Sequence, residues 1–487
     1  MEFTILTIGW EPDFINELLG PIEKQLDISF IHGLVGDSSR ITPAKKEYPN
    51  LNFISVSKTK NEPLPATDFE LLASLESPGI PTIKSMIQGD RVLRNRNENE
   101  SLGYATLLAT NIKKAILDIK PDLVLGSHDS IHSGISLAVA KSLEIPWVAM
   151  AFPVIPENLT GFCYSLTPNS LVQVTTQEPQ HYIDTAKSII ENVRSQKQKV
   201  VAYRAPTTIS QWMKQYLLHY KNLLRRKQQS EILGIDHFIY SSAIERISDI
   251  IRRSCNRLRL PAKRFINSPP KSKYVYFPLH MAPESMLDTW SPYYQDQLSF
   301  ITQLSLSIPI DIEFVIKLHF SDPNNYSYSQ LNRLMNMPKL KIAHPNASGN
   351  EFLKNAALII GIQGTSCLEA ALEGKPVLLF GDSPYLHFPR TERAKRPDEI
   401  FNQIKEMLNQ PEPTREEIVK QYAVYLSRYL PGRVNDWSRP TTQADLNRYS
   451  DCFNSLRNYL QIANNRNNWY KKPPFVAYKQ GDLYPSK

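Results

Sequence analysis

Two doubly wound α/β units in tandem are the fold this sequence predicts, and three observations predict it. Short apolar, β-branched runs alternate with helix-period segments over roughly the first 165 residues and again from Lys273, the rhythm of βαβ crossovers around parallel sheets. At 487 residues the chain is too long for a single hydrophobic core. Its 41% apolar and 21% charged residues suit a globular protein rather than a disordered or membrane-embedded one.

In order, Phe3 to Ile8 is a compact strand, Pro12 to Gln25 a helix, DISFIHGLVG a second strand and Leu51 to Ser57 a third. From Ser101 to Ile119, the residues Leu108, Ile112, Ala115, Ile116 and Ile119 recur at helical spacing. Leu123 to Leu125 is a buried strand ending at Gly126, Ser133 to Leu143 a helix, and IPWVAMAF another buried strand. Met1 to Ile8 lacks a basic flank and reads as a strand rather than a signal peptide. No run of about 18 apolar residues is free of charge, so no membrane-spanning helix is expected. Cys163, Cys255, Cys367 and Cys452 lie far apart, without a CxxC pair to make a zinc site or a disulfide framework. A cytoplasmic protein follows, at most peripheral at the inner face of the cell membrane.

Between Arg194 and Lys273 the chain carries 18 Lys+Arg against 4 Asp+Glu, a net of +14 within an overall +8. Ile239, Ala243, Ile244, Ile247, Ile250, Ile251, Cys255 and Leu258 mark one face of a long helix there, and Arg246, Arg252, Arg253, Arg257 and Arg259 the other. Two readings stand: a helix packed between domains with a solvated basic face, or attraction to anionic lipid or an acidic polymer. A nucleic-acid partner is not expected.

The second α/β stretch opens with KYVYFPLH as a strand. Gln297 to Leu306 follows as a helix, then IEFVIKLH and KLKIAHP as strands. Ile400 to Leu408 and Arg415 to Leu430 read as helices, and the chain from Asn464 as an extended tail. The expected division is an N-terminal domain over 1–195, a basic helical linker over 196–270, a second domain over 271–398 and a helical extension over 399–487.

Ala357 to Gly381 carries the strongest chemical signal. A buried strand, Leu358-Ile359-Ile360, meets Gly361 and Gly364, and Thr365-Ser366 open a helix carrying Glu369. A glycine lets the backbone approach a ligand, and the free amides of a first helical turn attract an anion. The turn is therefore a phosphate cradle with Thr365 or Ser366 as cap, or a plain cap alone. There is no GxxxxGK[ST] and no GxGxxG, against Walker-type hydrolysis and ordinary dinucleotide binding. Glu369, about one turn on, is placed for a ribose hydroxyl pair or is an ordinary surface glutamate. His280 to Glu284, Lys317 to His319 and His344-Pro345 each follow a strand, and so should share the sheet edge where ligands bind. Their charge and hydrogen bonding suit a phosphorylated leaving group. No HxH or HExxH spacing points to a metal.

YVYFPLHMAPE, Asp296-Gln297, VIKLH and GIQGTSCLEAALEGKPVLLFG together resemble bacterial capsular and surface polysaccharide biosynthesis proteins. That family's pattern runs roughly YFxLHxQPE, DQ, VKxHP and GT/S-S-x-x-E-A-L-x-G-K-P-V-x-x-F-G. GSHDSIHSGISLAVAKSLEIPWVAMAF and VIPENLTGF resemble its amino-terminal half, so the likeness spans Tyr274 to Gly381 and, more thinly, Pro121 to Phe162. Ala282 stands at the family's glutamine, Phe320 at its proline, and Gln363 where a small residue is common.

The resemblance implies a GT-B-type glycosyltransferase, with two Rossmann-like domains facing a cleft. The second would bind a nucleotide-sugar donor through His280, Glu284, Lys317, His319, His344, Gly364, Thr365, Ser366 and Glu369. The first would bind a glycan or lipid-linked acceptor. No cofactor or metal is expected, the nucleotide-sugar being a co-substrate. In the first domain His128, with Asp129 as carboxylate partner, suits a general base, and His132 and Glu11 the acceptor side. Otherwise Asp129 or Ser130 caps the helix and the histidines pack. A 2-epimerase acting on nucleotide-sugars and a non-catalytic polysaccharide-binding or export protein are the alternatives.

Overall fold

The structure is a computed structural model that describes residues 3–35, 41–57, 62–153, 155–156, 158–174, 178–194, 238, 243–319, 324–432 and 441–462. The chain forms two compact units, each an open α/β sheet of Rossmann-like, doubly wound order. The first holds β1 (Phe3–Ile8), β2 (Ile28–Leu34), β3 (Asn52–Ser55), β4 (Leu123–Gly126), β5 (Trp147–Ala151), β6 (Leu159–Cys163) and the short strand Leu430–Pro431. From one edge the order is Leu430–Pro431, β6, β5, β4, β1, β2, β3. All pairings are parallel except those of β6 with its two neighbours.

Both faces of this sheet are covered, which explains why its strands read as unbroken apolar runs. Along β1, Phe3 and Ile5 enter one core and Leu6 and Ile8 the other, as the two-residue period of a strand requires. The main crossover helices are α1 (Glu98–Ile119), started by an Asn97–Glu100 capping box, and α2 (Ser130–Ser142). The expected helix from Pro12 to Gln25 forms with a π turn at Ile15–Leu19. Pro21, which lacks an N–H and crowds the carbonyl four residues back, accounts for that irregularity.

In the second unit the elements are α3 (Ile183–Arg194), α4 (Ala243–Leu258), β7 (Tyr274–Pro278), α5 (Gln297–Ser305), β8 (Glu313–Lys317) and β9 (Leu340–Ala343). They continue with β10 (Leu358–Gly361), α6 (Thr365–Leu372), β11 (Val377–Leu379), β12 (Thr391–Arg393), α7 (Ile400–Asn409) and α8 (Arg415–Leu426). The sheet order is β12-β11-β10-β7-β8-β9, parallel throughout.

The two units do not follow chain order, which changes the expected division in three places. α3, expected with the first domain, groups with the second unit, where Ala186 and Ile190 are fully buried and Glu191 pairs with Arg415 of α8. The helix Gln443–Gln461, expected in a C-terminal extension, belongs to the first unit. Its Tyr449, Cys452, Phe453, Leu456 and Leu460 enter the core beneath β1 and β2. α4 groups with the second unit from Ile244 onward, but its apolar face is not packed: Ile244, Ile247, Ile251 and Leu258 are exposed. Ile239, Phe320 and the tail from Asn464 lie outside the described residues. Among the described residues, no helix is long and apolar enough to cross a membrane.

Phe453 is 1% exposed and meets Phe30 and Phe162 edge-on, ring centroids 5.7 Å away in each case. Phe453→Ala should lower the stability of the first unit by about 3–5 kcal/mol. Denaturant unfolding checks this, and a loss below about 1 kcal/mol would mean that the helix is not an integral part of that core.

Candidate functional site

In the second sheet the strand order reverses between β7 and β10, so the loops leaving these neighbours diverge, and ligands bind at such points. After β10, the chain turns through Ile362, Gln363 and Gly364 into α6. Gly364 has φ +111° and ψ 171°, a conformation open in practice only to glycine. It is the N-cap of α6, and no side chain caps the first turn. The expected cap from Thr365 or Ser366 does not form, because both lie inside the helix. Among the described residues its positive end is therefore not capped by a side chain, an arrangement that suits an anion.

The loop after β7 presses His280 against this turn. A Cβ on Gly364 would lie 2.8 Å from His280 Cε1. Gln297, in the first turn of α5 and 1% exposed, holds the His280 backbone from both sides. Its Oε1 accepts from His280 N at 2.8 Å, and its Nε2 donates to His280 O at 3.1 Å and to the Tyr326 hydroxyl at 3.1 Å. Across the turn, the Tyr385 hydroxyl donates to Gly364 O at 2.8 Å. His280 Nε2 is buried and makes no hydrogen bond, while Glu284 Oε2 lies 3.8 Å from Nδ1. Gln363 is buried, and its Nε2 donates to Ser291 Oγ at 3.2 Å.

Next along the edge, β8 ends at Lys317, whose ammonium donates to Pro345 O at 2.8 Å. Its side chain runs beside Gly349, where a Cβ would sit 3.8 Å from Lys317 Cε and 3.6 Å from the Tyr276 hydroxyl. His319 follows β8, and His344 follows β9 with Nδ1 accepting from Asn346 N at 3.2 Å.

Burial decides the charges. It pushes His280 down to about 4, helped by neighbouring His319, and His319 down to about 4, helped by Lys317. His344 is lowered by burial and by Lys317. The expected cluster of positive charge thus becomes Lys317, itself lowered to about 8 by burial, beside neutral histidines. Glu369 is raised to about 7, by burial first and by Glu373 second.

The first sheet reverses between β1 and β4. Gly9, at φ +85°, Trp10 and Glu11 leave β1, with Glu11 exposed at the start of the first helical segment. The Trp10 indole donates to Leu125 O at 3.3 Å, tying this loop to β4. After β4, Ser127 Oγ and Ser133 Oγ are 2.7 Å apart, and His128 Nδ1 lies 3.1 Å from Leu166 O. A carbonyl only accepts, so Nδ1 carries the proton and Nε2 the lone pair. Burial keeps the ring neutral.

Two expectations change here. Asp129 does not serve as the partner of His128 Nδ1. Its Oδ1 accepts from Ser130 N at 3.0 Å as the N-cap of α2, and its Oδ2 lies 3.2 Å from Arg91. His132 is 2% exposed, with Nε2 3.1 Å from the Tyr104 hydroxyl and Nδ1 3.1 Å from Ser130 Oγ, and burial pushes it down to about 3. It packs in the core rather than meeting an acceptor. The other support for this loop is buried Asp90, which accepts from Ile131 N at 3.3 Å.

Gln297, Tyr385 and Asp90 hold these loops, and sequence reasoning assigned none of them a role. Gln297 carried a signal, as a polar residue opening the apolar helix QLSFITQL. Tyr385 and Asp90 had none, since the loop residues they hold, Gly364 and Ile131, lie 21 and 41 residues away.

The chain matches no known protein-family profile and no curated relative. Similar solved structures include the Thermosulfurimonas dismutans KpsC β-Kdo 2,4 transferase, at 12% identity and TM-score 0.36 over 68% of this chain and 87% of that one. The KpsC β-Kdo 2,7 transferase of the same organism is 11% identical, with TM-score 0.32 over 67% and 84%. Methanocaldococcus jannaschii UDP-GlcNAc 2-epimerase, in complex with UDP-GlcNAc and UDP, is 16% identical, with TM-score 0.25 over 86% and 98%. At TM-scores this low none carries the fold assignment, which rests on the strand order of the two sheets.

Gly364→Ala should cost about 1–3 kcal/mol of stability through backbone strain and should displace the His280 ring. Denaturation and the imidazole resonances of His280 read the two effects. An unchanged ring environment would show that the turn and the histidine are not coupled.

Proposed function

We propose that the protein transfers a sugar from a nucleotide-sugar donor to a surface or capsular polysaccharide, or to a lipid-linked precursor of one. The observation that carries this reading is the Gly364 turn at the strand-order reversal of the second sheet, uncapped and facing a buried imidazole, with Lys317 on the same edge. Together these favour a phosphoryl group. In this reading the first-turn amides of α6 hold the donor phosphate and Lys317 offsets charge as the leaving group departs. His319 donates a hydrogen bond as a neutral ring, while His280, bonded to the Gln363 backbone, walls the turn. Glu369, on the same helix, accepts from a ribose hydroxyl.

The first unit supplies the acceptor side, with Glu11 at its sheet edge. In the step itself, the acceptor hydroxyl oxygen bonds to the anomeric carbon while the bond from that carbon to the donor's phosphoryl oxygen breaks. The phosphoryl oxygen keeps the electron pair, and the hydroxyl proton passes to His128 Nε2. Asp129 orders the loop through its cap, and its nearby charge favours the protonated His128 ring that forms in the step. The charge chemistry asks for no metal, because Lys317 and the helix amides stabilise the leaving group.

Transfer of labelled sugar from a panel of UDP-, GDP-, TDP- and CMP-sugars onto purified glycan or lipid-linked acceptor tests the proposal. Conversion of the donor sugar without any acceptor would instead identify an epimerase. Glycan binding with no nucleotide affinity would identify a binding protein. His128→Gln should lower turnover by roughly 10²–10⁴-fold with donor affinity unchanged, and a near-normal rate would remove His128 from the chemistry.

Nucleotide affinity, followed by calorimetry, should be greatest between about pH 7 and 8. It should fall above, as Lys317 (about 8) loses its proton, and below, as Glu369 (about 7) gains one. Lys317→Met should flatten the alkaline limb and Glu369→Gln the acid limb. A limb that persists in its variant would exclude that residue from the site.

A further inference from the structure

α4 presents its apolar side to solvent. Ile244 is 80% exposed, Ile247 43%, Ile251 54% and Leu258 85%, and Cys255 is exposed with them. Steps of three and four residues put these five side chains on one stripe, about 20 Å long at 1.5 Å per residue. The polar flank is the one that is fastened. Arg252 Nη1 donates to Asn325 O at 2.9 Å, Asn256 Nδ2 to Asn324 O at 3.0 Å, and Arg253 Nε to Asp249 at 2.7 Å. The helix is thus anchored through polar side chains, leaving a contiguous apolar surface. Scattered single exposed apolar residues are ordinary, whereas an ordered stripe marks an interaction.

The charge beside the stripe identifies what covers it. Residues 243–264 hold seven Lys and Arg against two Asp and Glu. That is a net of +5, and Arg259 and Lys263 are exposed beside Leu258 at the end of the stripe. A second copy of this chain would cover the isoleucines but bring together two stretches that each carry a net +5. A bilayer with anionic headgroups satisfies both requirements, taking the apolar side chains at its acyl boundary and the basic side chains at its phosphates.

We propose that α4 seats the protein on an anionic lipid surface, with Ile244, Ile247, Ile251, Cys255 and Leu258 entering the interface and the exposed Arg259 and Lys263 at the headgroups. This inference does not rest on the proposed transferase chemistry. The helix lies in the plane of the surface. At 16 residues, with charges along its length, it does not cross.

Co-sedimentation with vesicles tests this on the full chain. Protein should pellet with phosphatidylcholine–phosphatidylglycerol vesicles and much less with phosphatidylcholine alone, and added salt should weaken the anionic binding. The pair Ile251→Asp and Leu258→Asp should reduce binding at least roughly tenfold, and Arg259→Gln several-fold, with melting temperatures near that of the parent. A probe that needs no folding control is at hand, because Cys255 is exposed and the other three cysteines are buried. An environment-sensitive fluorophore there should shift to the blue on anionic vesicles only. No pelleting, no spectral shift, or unchanged binding by the double variant would overturn the proposal. A vesicle-free dimer that Ile251→Asp converts to monomer would overturn it too, assigning the stripe to a second copy.

Discussion

Gly364 adopts a backbone conformation that a side chain would forbid, with the His280 ring pressed against the space a Cβ would need. Much of the second unit's carboxyl edge depends on that contact. It sets the angle at which α6 leaves β10, and with it the direction of the first-turn amides. It also requires His280 to be held still, which Gln297 does by bonding both backbone groups of that residue. Tyr385 fixes the turn from the β11 side. Each clamp is a buried polar group with its partner in place, and removing one would leave a donor or acceptor stranded at a cost of about 1–3 kcal/mol.

Burial also sets the electrostatics. A histidine in a dry pocket next to a lysine has two reasons to stay neutral, and His319 has both. The edge therefore presents one principal cation and several neutral donors, an arrangement that can hold an anion without assembling mutually repelling charges in its absence. In the first unit, burial and a carbonyl partner leave His128 a neutral ring with its lone pair on Nε2, while Asp129 and Arg91 hold the start of α2.

Chain order and spatial order part company at two helices. The helix Gln443–Gln461 completes the core beneath β1 and β2, and α3 packs into the second unit. Each has an apolar face that its sequence neighbours do not cover, so each is stabilised by elements far along the chain. Among the described residues α4 has no such cover, and its polar bonds to Asn324 and Asn325 leave the apolar stripe outward.

Local pattern alone determined most of the strands and crossover helices, because doubly covered parallel strands are apolar throughout and their helices repeat every three to four residues. It also marked the Gly364 turn and the strand-end loops carrying His280, Lys317, His319 and His344. It did not reveal β6, which follows β5 with no helix to mark the boundary, or the two-residue strand Leu430–Pro431. Nor could it show that Asp129 caps a helix instead of orienting His128, that His132 is buried against Tyr104, or that the histidines stand neutral. Those outcomes depend on which groups meet across tens of residues and on how much water remains beside them, quantities that exist only once the sheets have assembled.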